Sequence, residues 1–188
     1  MSLKVCISGP AGSGKSSVMR KVAQALGAGS ADVGHIFRLR AEKIGMTIAE
    51  YDKYIEAHPD EDKKMDEDFK DFVLQTDGDV VVSWRMGFLF VPDMINIWLD
   101  VSMEEGARRV FEDDTRKEEQ HYVTVAQARR ANLERMQYLR ERMKEIYGVD
   151  FMDKGHYTKV IDTTGKSLEE VVAEILGFLK DIKKSELY

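Results

Sequence analysis

Short apolar runs alternate with helix-like segments along the chain. Five of these runs predict strands, over residues 3–8, 31–33, 79–83, 95–101 and 159–162. The third and fourth are nearly continuous and rich in Val and Ile, as is typical of strands covered on both faces. Because the segments between the runs carry a helical pattern, the alternation predicts an α/β fold with a five-stranded parallel sheet flanked by helices.

Two segments depart from this alternation. Residues 35–75 carry much helical pattern and little strand signal, and their acidic run over 60–71 predicts a helix with an exposed acidic face. Residues 104–148 predict a long charged helical region, which is interrupted around residues 113–125. Its later part has one apolar stripe at spacings of three and four, formed by Leu133, Met136, Leu139, Met143 and Ile146.

The composition does not change along the chain in a way that marks a second domain. We therefore expect a single domain over residues 1–188. Its predicted parts are a core over 1–34, 76–108 and 149–188, a helical insert over 35–75, and a lid with a long helix over 109–148.

Charge and residue counts narrow the class of protein. A net charge of −6 over 188 residues argues against nonspecific binding of nucleic acid. The single cysteine, Cys6, lies in the first apolar run, which predicts a buried thiol in a reducing compartment. The four histidines have no metal-ligand spacing, and no apolar run approaches the ~18 residues that span a membrane. These features predict a cytoplasmic protein with no membrane or nucleic-acid partner.

A phosphate-binding motif lies between the first predicted strand and the helix that follows it. Residues 9–16 read G-P-A-G-S-G-K-S and match G-x-x-x-x-G-K-[ST] in full, which predicts a P-loop NTPase fold. Glycines let backbone N–H groups turn toward an anion, and the helix N-terminus adds the positive end of its dipole. We expect Lys15 to neutralise phosphate charge and the Ser16 hydroxyl to be a Mg²⁺ ligand.

The motif therefore predicts ATP and Mg²⁺ as cofactors. No guanine-selecting N-K-x-D motif occurs, which argues against a GTPase. The predicted nucleotide-binding residues are Gly9, Gly12, Ser13, Gly14, Lys15, Ser16 and Ser17.

Arginines follow the predicted strands and lie along the long helix. Arg38 comes after the second strand, and Arg85 comes directly after the third, where open α/β sheets bind ligands. Arg135 and Arg142 are seven residues apart, so they project from one side of a helix. Because guanidinium groups bind phosphate oxygens in pairs, these residues predict an acceptor that carries its own phosphate.

Several of these segments together resemble nucleoside monophosphate kinases of the P-loop superfamily. The similar segments are 9–17, D-V-G-H-I-F-R over 32–38, V-V-V-S-W-R over 80–85, and 95–110. Within that group, E-R-M-K-E-I-Y-G-V-D-F over 141–151 and the segment 160–172 are most similar to archaeal-type cytidylate kinases. Residues 44–66 resemble the acceptor-binding helical insert of those enzymes. The resemblance implies transfer of a phosphoryl group from ATP to CMP or dCMP.

The resemblance also implies roles for individual residues. Arg38 and Arg85 would hold the α-phosphate of the acceptor, and Asp32 would face its sugar or a metal-bound water. Arg135 and Arg142 match a pair of substrate-binding arginines in the family.

Three residues are predicted to be catalytic: Lys15, Arg109 and Arg116. Arg109 would enter the lid, and Arg116 would close on the transferred phosphoryl group. Closure of such a lid excludes water that would otherwise hydrolyse ATP.

The chain departs from the family pattern at two positions. Leu139 occupies the place of an acidic residue that receives a ribose hydroxyl, and a leucine cannot accept that hydrogen bond. Trp84 occupies the place of a glycine before the arginine of the third strand. Its ring is expected to stack on a base, to fill core space, or to narrow the pocket.

Other interpretations of the sequence stay open at this point. Arg135 and Arg142 would pair with neighbouring glutamates if they were only solvated helix residues. A related enzyme could phosphorylate another nucleotide or an alcohol metabolite, with Asp32 as general base. A third possibility is a low-turnover nucleotide-binding regulator with the kinase fold. The predicted partner is a small-molecule substrate, and the predicted assembly is a monomer or homodimer.

Overall fold

The computed structural model describes residues 2–113 and 122–185. Its five strands are β1 (Lys4–Ser8), β2 (Gly29–Asp32), β3 (Val80–Ser83), β4 (Ile95–Asp100) and β5 (Lys159–Asp162). They form one sheet in the order β2-β3-β1-β4-β5, and every neighbouring pair is parallel. The predicted five-stranded parallel sheet flanked by helices is therefore confirmed.

Eight α-helices connect and cover these strands in the described residues. They are α1 (Lys15–Leu26), α2 (Val33–Lys43), α3 (Ile48–Ala57), α4 (Pro59–Gln75), α5 (Gly87–Phe90), α6 (Met103–Glu112), α7 (Val125–Tyr147) and α8 (Leu168–Ser185). A 3₁₀ turn, Lys154–His156, precedes β5. Helices α2 to α4 occupy the predicted insert, and α7 is the long helix of the later charged region.

Strand β2 begins two residues earlier than its sequence pattern predicts. The prediction of 31–33 was wrong at both ends, since the strand spans Gly29–Asp32 and Val33 opens α2. An edge strand that pairs only with β3 does not need a continuous apolar run, so Gly29 and Ser30 belong to it without a hydrophobic signal. The Asp32 carboxylate ends the strand by accepting a hydrogen bond from Gly34 N at 2.8 Å, which caps α2.

The side chains of the sheet pack into two apolar clusters, one on each face. Val5 and Ile7 of β1 pack against α1 and α8 on one side, whereas Cys6 points to the other. The second cluster contains Trp84 and Trp98 together with side chains of α4 and α7. The predicted burial of Cys6 is confirmed, and burial raises the pKa of its thiol to about 12.

Helix α4 carries the acidic run, but its predicted exposed acidic face is only partly present. Asp62 and Asp66 are buried, each with 5% of its surface exposed. They lie on the same side of the helix as Met65 and Phe69, which belong to the core. Because they are four residues apart, the two carboxylates lie on one side of the helix, where Asp62 pairs with Arg142 of α7.

Candidate active site

The P-loop joins β1 to α1 in a conformation that requires glycine. Gly12 has φ = 79°, and a Cβ added there would lie 2.2 Å from the carbonyl oxygen of Gly106. A Cβ on Gly9 would lie 2.3 Å from the carbonyl oxygen of Leu99. Gly14 caps α1 in the left-handed conformation with φ = 87°. The loop is therefore closely packed, and its backbone opens onto the N-terminus of α1, where an anion is favoured.

The polar side chains of the loop lie where a nucleoside triphosphate would be bound. Lys15 Nζ donates a hydrogen bond to the Pro10 carbonyl at 2.7 Å. Ser17 Oγ accepts a weak hydrogen bond from Arg20 at 3.4 Å. Ser13 Oγ is buried with no hydrogen-bond partner in the described part of the chain. A cradle with an unsatisfied buried hydroxyl and a lysine fits a bound polyphosphate.

Ser16 and Asp32 supply the oxygen atoms nearest to this cradle. Ser16 Oγ donates to Asp32 Oδ2 at 2.5 Å. Hydroxyl and carboxylate oxygens are the donors that Mg²⁺ prefers, so the pair fits this ion. No group of three or more His, Cys, Asp or Glu within residues 2–113 and 122–185 could hold a metal, so nucleotide phosphates and water would complete the shell.

A cavity of about 890 Å³ opens on the α1 side of the P-loop. The residues of the P-loop and of the β5–α8 loop line it, and Arg109 forms part of its wall. Arg109 donates to the carbonyl oxygen of Thr163 at 2.8 Å and to that of Gly12 at 3.4 Å. Its Nε also donates to Glu105 at 2.7 Å, and Arg108, followed by Arg109, lowers the pKa of Glu105 to about 2. We call this the donor cavity.

The structure thus places Arg109 against the P-loop, in the donor cavity and not in the lining of the acceptor cavity described next. The second predicted lid residue, Arg116, lies outside the described residues. Its role stays a prediction.

A second cavity, of about 190 Å³, lies between the P-loop, the insert and α7. Its lining brings together all five predicted substrate-binding residues: Asp32, Arg38, Arg85, Arg135 and Arg142. Lys15, Ser16 and Arg38 line this acceptor cavity and the donor cavity as well. The two cavities therefore meet at the lysine and hydroxyl of the P-loop.

Arg85 gives the acceptor cavity a positive charge without a carboxylate partner. Its guanidinium lies 5.1 Å from the centre of the Phe151 ring, and no carboxylate of the described chain pairs with it. Burial, followed by the like charge of Arg135, lowers the pKa of Arg85. Arginine nevertheless stays protonated in proteins, so this partly buried cation favours an anionic ligand.

Arg135 and Arg142 reach across the cavity to the insert. Arg142 Nη2 lies 2.5 Å from Asp62 Oδ2 of α4, and Arg135 Nη2 lies 3.6 Å from Asp52 Oδ2 of α3. Arg142 also donates to the Tyr138 hydroxyl at 3.2 Å. Their ion pairs are therefore with the insert, and not with glutamates of their own helix.

Trp84 is buried beneath the acceptor cavity with 2% of its surface exposed. Its Nε1 donates to Asp66 Oδ1 at 2.7 Å, and the Tyr147 hydroxyl donates to Asp66 Oδ2 at 2.7 Å. The indole ring stacks on Phe90 at 5.3 Å. Of the three uses expected for this tryptophan, the structure shows the filling of core space.

Three carboxylates of the insert belong to the site but were not predicted as site residues: Asp52 had no signal in the sequence, and Asp62 and Asp66 only match acidic positions of the insert in the similar family. Burial raises the pKa values of Asp52 and Asp66, and it raises that of Asp62 to about 6 despite the nearby charge of Arg142. A signal for two of them was present, since Asp62 and Asp66 share one helical face with the apolar Met65 and Phe69.

Comparisons with known proteins agree with this architecture. A family model described as an AAA domain matches residues 5–128. A cytidylate kinase of Thermococcus kodakarensis is 32% identical over 184 residues, covering 97% of this chain and 91% of that protein. A cytidylate kinase of Pyrococcus furiosus is 34% identical and covers 91% of this chain and 85% of its own. The chain belongs to the cytidylate kinase family of P-loop proteins. The predicted resemblance is therefore confirmed.

The comparisons also include a nucleotide dehydratase and two solved kinase structures. An S-adenosylmethionine-dependent nucleotide dehydratase of Lacinutrix mariniflava is 33% identical over 94% of this chain, which spans only 36% of that protein. A shikimate kinase structure from Acinetobacter baumannii has a TM-score of 0.62 at 19% identity and covers 97% of this chain and 96% of its own. A gluconokinase from Sinorhizobium meliloti has a TM-score of 0.60 at 16% identity, with coverages of 98% and 95%. These two structures share the fold.

Among the described helices, none combines the length and the apolar character that crossing a membrane requires.

Proposed function

We propose that this chain transfers the γ-phosphoryl group of ATP to CMP or dCMP, giving CDP or dCDP. The observation that carries the proposal is the meeting of two cavities at Lys15, Ser16 and Arg38. A triphosphate in the donor cavity and a monophosphate in the acceptor cavity would face each other there. The cytidylate kinases among the relatives support the choice of acceptor.

The donor side would bind ATP through the backbone N–H groups of residues 9–17 and through Lys15. The Ser16 hydroxyl would be a ligand of Mg²⁺, and Asp32 would accept a hydrogen bond from a water on the ion. The bound ion supplies neutralisation of charge on the phosphate oxygens. Arg109 is held by backbone carbonyls in the wall of the donor cavity, so we assign it to nucleotide binding and positioning.

The acceptor side would bind the monophosphate through Arg38 and Arg85. An oxygen of this phosphate forms a bond to the γ-phosphorus, and the bond from that phosphorus to the β–γ bridging oxygen breaks. The attacking oxygen is already an anion, so no strong general base is needed. Catalysis would depend on positioning and on charge neutralisation by Lys15. Arg116 would join these residues from the lid.

The division into core, insert and lid is part of the same proposal. The insert would carry the acceptor, since Asp52 and Asp62 line its cavity. Residues 109–148 would carry the lid and the helix that holds Arg135 and Arg142. We keep cytoplasmic location and a monomer or homodimer as expectations.

The decisive experiment measures ADP release with ATP and Mg²⁺ across CMP, dCMP, UMP, AMP, GMP and shikimate. We expect CMP or dCMP to accelerate ADP release, and the Lys15→Ala variant to lose that acceleration while it keeps the fold. A matched control is Lys21→Ala, because Lys21 is exposed on the same helix and lines neither cavity. No acceleration by any nucleoside monophosphate would refute the proposal.

A second candidate rests on the position of Asp32. Its carboxylate lines the acceptor cavity and bonds to Ser16, so it could take a proton from the hydroxyl group of an alcohol acceptor. Faster ADP release with shikimate or another alcohol, and no acceleration with nucleotides, would favour this candidate. No acceleration of ADP release by any acceptor, with ATP still bound, would favour a low-turnover regulator.

A further inference from the structure

The backbone of Trp84 is held by the strand that leads into the P-loop. Its carbonyl oxygen accepts hydrogen bonds from the Ser8 hydroxyl and, at 3.1 Å, from the Cys6 thiol, both of β1. That carbonyl and the N–H of Arg85 belong to one planar peptide group. The two bonds therefore fix the plane from which the main chain continues into Arg85, a residue that lines the acceptor cavity.

The indole of Trp84 is held by helix α4. Its Nε1 donates to Asp66 Oδ1 at 2.7 Å, and the Phe69 ring meets the indole edge to face at 5.1 Å between ring centres. Asp66 and Phe69 are three residues apart, so they lie on the same side of α4. A hydrogen bond to a buried charged group contributes more than one between neutral groups. The indole therefore cannot turn about its side-chain bonds without losing a strong contact.

Asp66 influences Arg85 without forming an ion pair with it. Its second oxygen accepts from the Tyr147 hydroxyl at 2.7 Å, so both carboxylate oxygens already have donors. Burial and then Arg135 lower the pKa of Arg85, whereas the negative charge of Asp66 acts in the opposite direction. The carboxylate therefore favours the charged guanidinium while its own oxygens bond elsewhere.

We propose that Asp66 is a positioning residue for the acceptor phosphate: through the Trp84 indole, it fixes the direction in which Arg85 enters the acceptor cavity. The inference rests on the proposed kinase function, in which Arg85 binds that phosphate. The role requires no contact between Asp66 and the acceptor. It also gives the tryptophan a use beyond filling space, because a phenylalanine at this position would pack its ring but offer Asp66 no N–H.

The test measures ADP release with ATP, Mg²⁺ and CMP in Asp66→Leu, which removes both acceptor oxygens and keeps a side chain of similar size. We expect KM for CMP to rise about tenfold, the size of one charge-assisted hydrogen bond. The values of kcat and of KM for ATP should stay within about twofold of wild type, since the reacting groups and the donor cavity are untouched. An unchanged KM for CMP in folded Asp66→Leu would overturn the inference.

Tyr147→Phe is the matched control, because it removes a hydrogen bond of the same length from the same carboxylate. Tyr147 is the last residue of α7 and lines neither cavity. Its variant should therefore unfold at lower urea concentration and yet keep KM for CMP within about twofold of wild type. An equal rise of KM in Tyr147→Phe and Asp66→Leu would show that a general loss of stability weakens binding, and it would contradict a positioning role.

Trp84→Phe tests the route through the indole. It removes the N–H and keeps an aromatic ring, so KM for CMP should rise about as much as in Asp66→Leu. The double variant should have the KM of either single variant, because both changes break one bond. Rises that multiply would mean that Asp66 acts by another route, which overturns the inference. If Asp66→Leu does not fold, equal KM values in Trp84→Phe and Tyr147→Phe would overturn it.

Equilibrium dialysis with labelled CMP distinguishes failure of this inference from failure of the kinase proposal. Weaker binding of CMP to Asp66→Leu than to Tyr147→Phe would support the positioning role without reference to turnover. Turnover of CMP by the wild-type protein, with the same KM in every variant, would refute the positioning role and leave the kinase function in place. Absence of both binding and turnover of every nucleoside monophosphate in the wild-type protein would refute the two proposals together.

Discussion

Ser16 Oγ donates a hydrogen bond to Asp32 Oδ2 at 2.5 Å and so ties the start of α1 to the end of β2. The two strands nearest to these groups are not adjacent, because β3 lies between β1 and β2 in the sheet. The bond therefore crosses the end of the sheet at the junction of the donor and acceptor cavities. This is the place where a metal ion and the reacting phosphates would meet.

The first prediction concerns this pair and the Mg²⁺ requirement. Ser16→Ala removes the hydroxyl that we propose as a Mg²⁺ ligand, so the Mg²⁺ concentration for half-maximal ADP release should rise by about tenfold or more. The measurement is a Mg²⁺ titration of turnover at fixed ATP. Ser30→Ala, which removes an exposed hydroxyl of β2, serves as the control and should leave the titration unchanged. An unchanged midpoint in Ser16→Ala would mean that the hydroxyl is not a metal ligand.

The second prediction concerns the phosphate of the acceptor. Arg85→Ala should raise KM for the nucleoside monophosphate by about a hundredfold, since the proposed charge-assisted contact with the phosphate is lost. KM for ATP should change little, because Arg85 lines the acceptor cavity and not the donor cavity. Arg140→Ala is the control, since Arg140 is exposed, pairs with Asp150 and lines neither cavity. Steady-state kinetics with each substrate varied in turn would show the split, and an equal rise of both KM values would argue against an acceptor-specific role.

The third prediction separates backbone strain from close packing in the P-loop. Gly12 and Gly78 both have positive φ, 79° and 84°, but only Gly12 has backbone atoms where a Cβ would stand. Both Gly→Ala variants should lose about 1 kcal/mol from the left-handed conformation. Gly12→Ala should lose about 1–3 kcal/mol more, because Gly106 O would lie 2.2 Å from the new Cβ.

Urea denaturation of both variants measures this difference in the free energy of unfolding. A loss in Gly12→Ala no larger than in Gly78→Ala would show that the loop can move away from α6 without cost.

The elements that the sequence predicts well are those with local signals. The P-loop has its motif, and β3 and β4 have continuous apolar runs, so their places follow from residues close together in the chain. The start of β2 was missed because an edge strand tolerates Gly29 and Ser30. The ion pair of Asp62 was missed for a different reason. Its partner, Arg142, is eighty residues away in the sequence, and no local pattern predicts an ion pair formed between α4 and α7.

The same distinction applies to the arginines of the site. Motif and resemblance located Arg38, Arg85, Arg135 and Arg142, and the structure brings all four to one cavity. The different side chains that contact each arginine could not be predicted from the sequence, because these contacts form only in the folded protein. Arg142 is held by Asp62, whereas Arg85 stacks on Phe151 without a carboxylate in the described chain.

The last prediction concerns the pH dependence of the free energy of unfolding, and it depends on the carboxyl group of Asp62. Burial is the main cause that raises the pKa of Asp62 to about 6, and Asp66 and Asp52 add to it. Arg142 and Arg85 act in the opposite direction but do not outweigh burial. In the unfolded chain an aspartate titrates near ~3.9. Between about pH 4 and pH 6 the folded protein therefore binds more protons at this site than the unfolded chain.

It follows that the free energy of unfolding falls as the pH rises through this window. The contribution of Asp62 is fully present below about pH 4 and is lost as the pH passes about 6, with a magnitude of about 3 kcal/mol. Urea denaturation from about pH 4.5 to about pH 7.5 should show a smaller decline in Asp62→Asn than in the wild-type protein, because asparagine does not titrate. Asp68→Asn, on the exposed side of the same helix, should keep the wild-type decline. Equal declines in wild type and Asp62→Asn would show that the Arg142 ion pair, and not burial, controls this carboxylate.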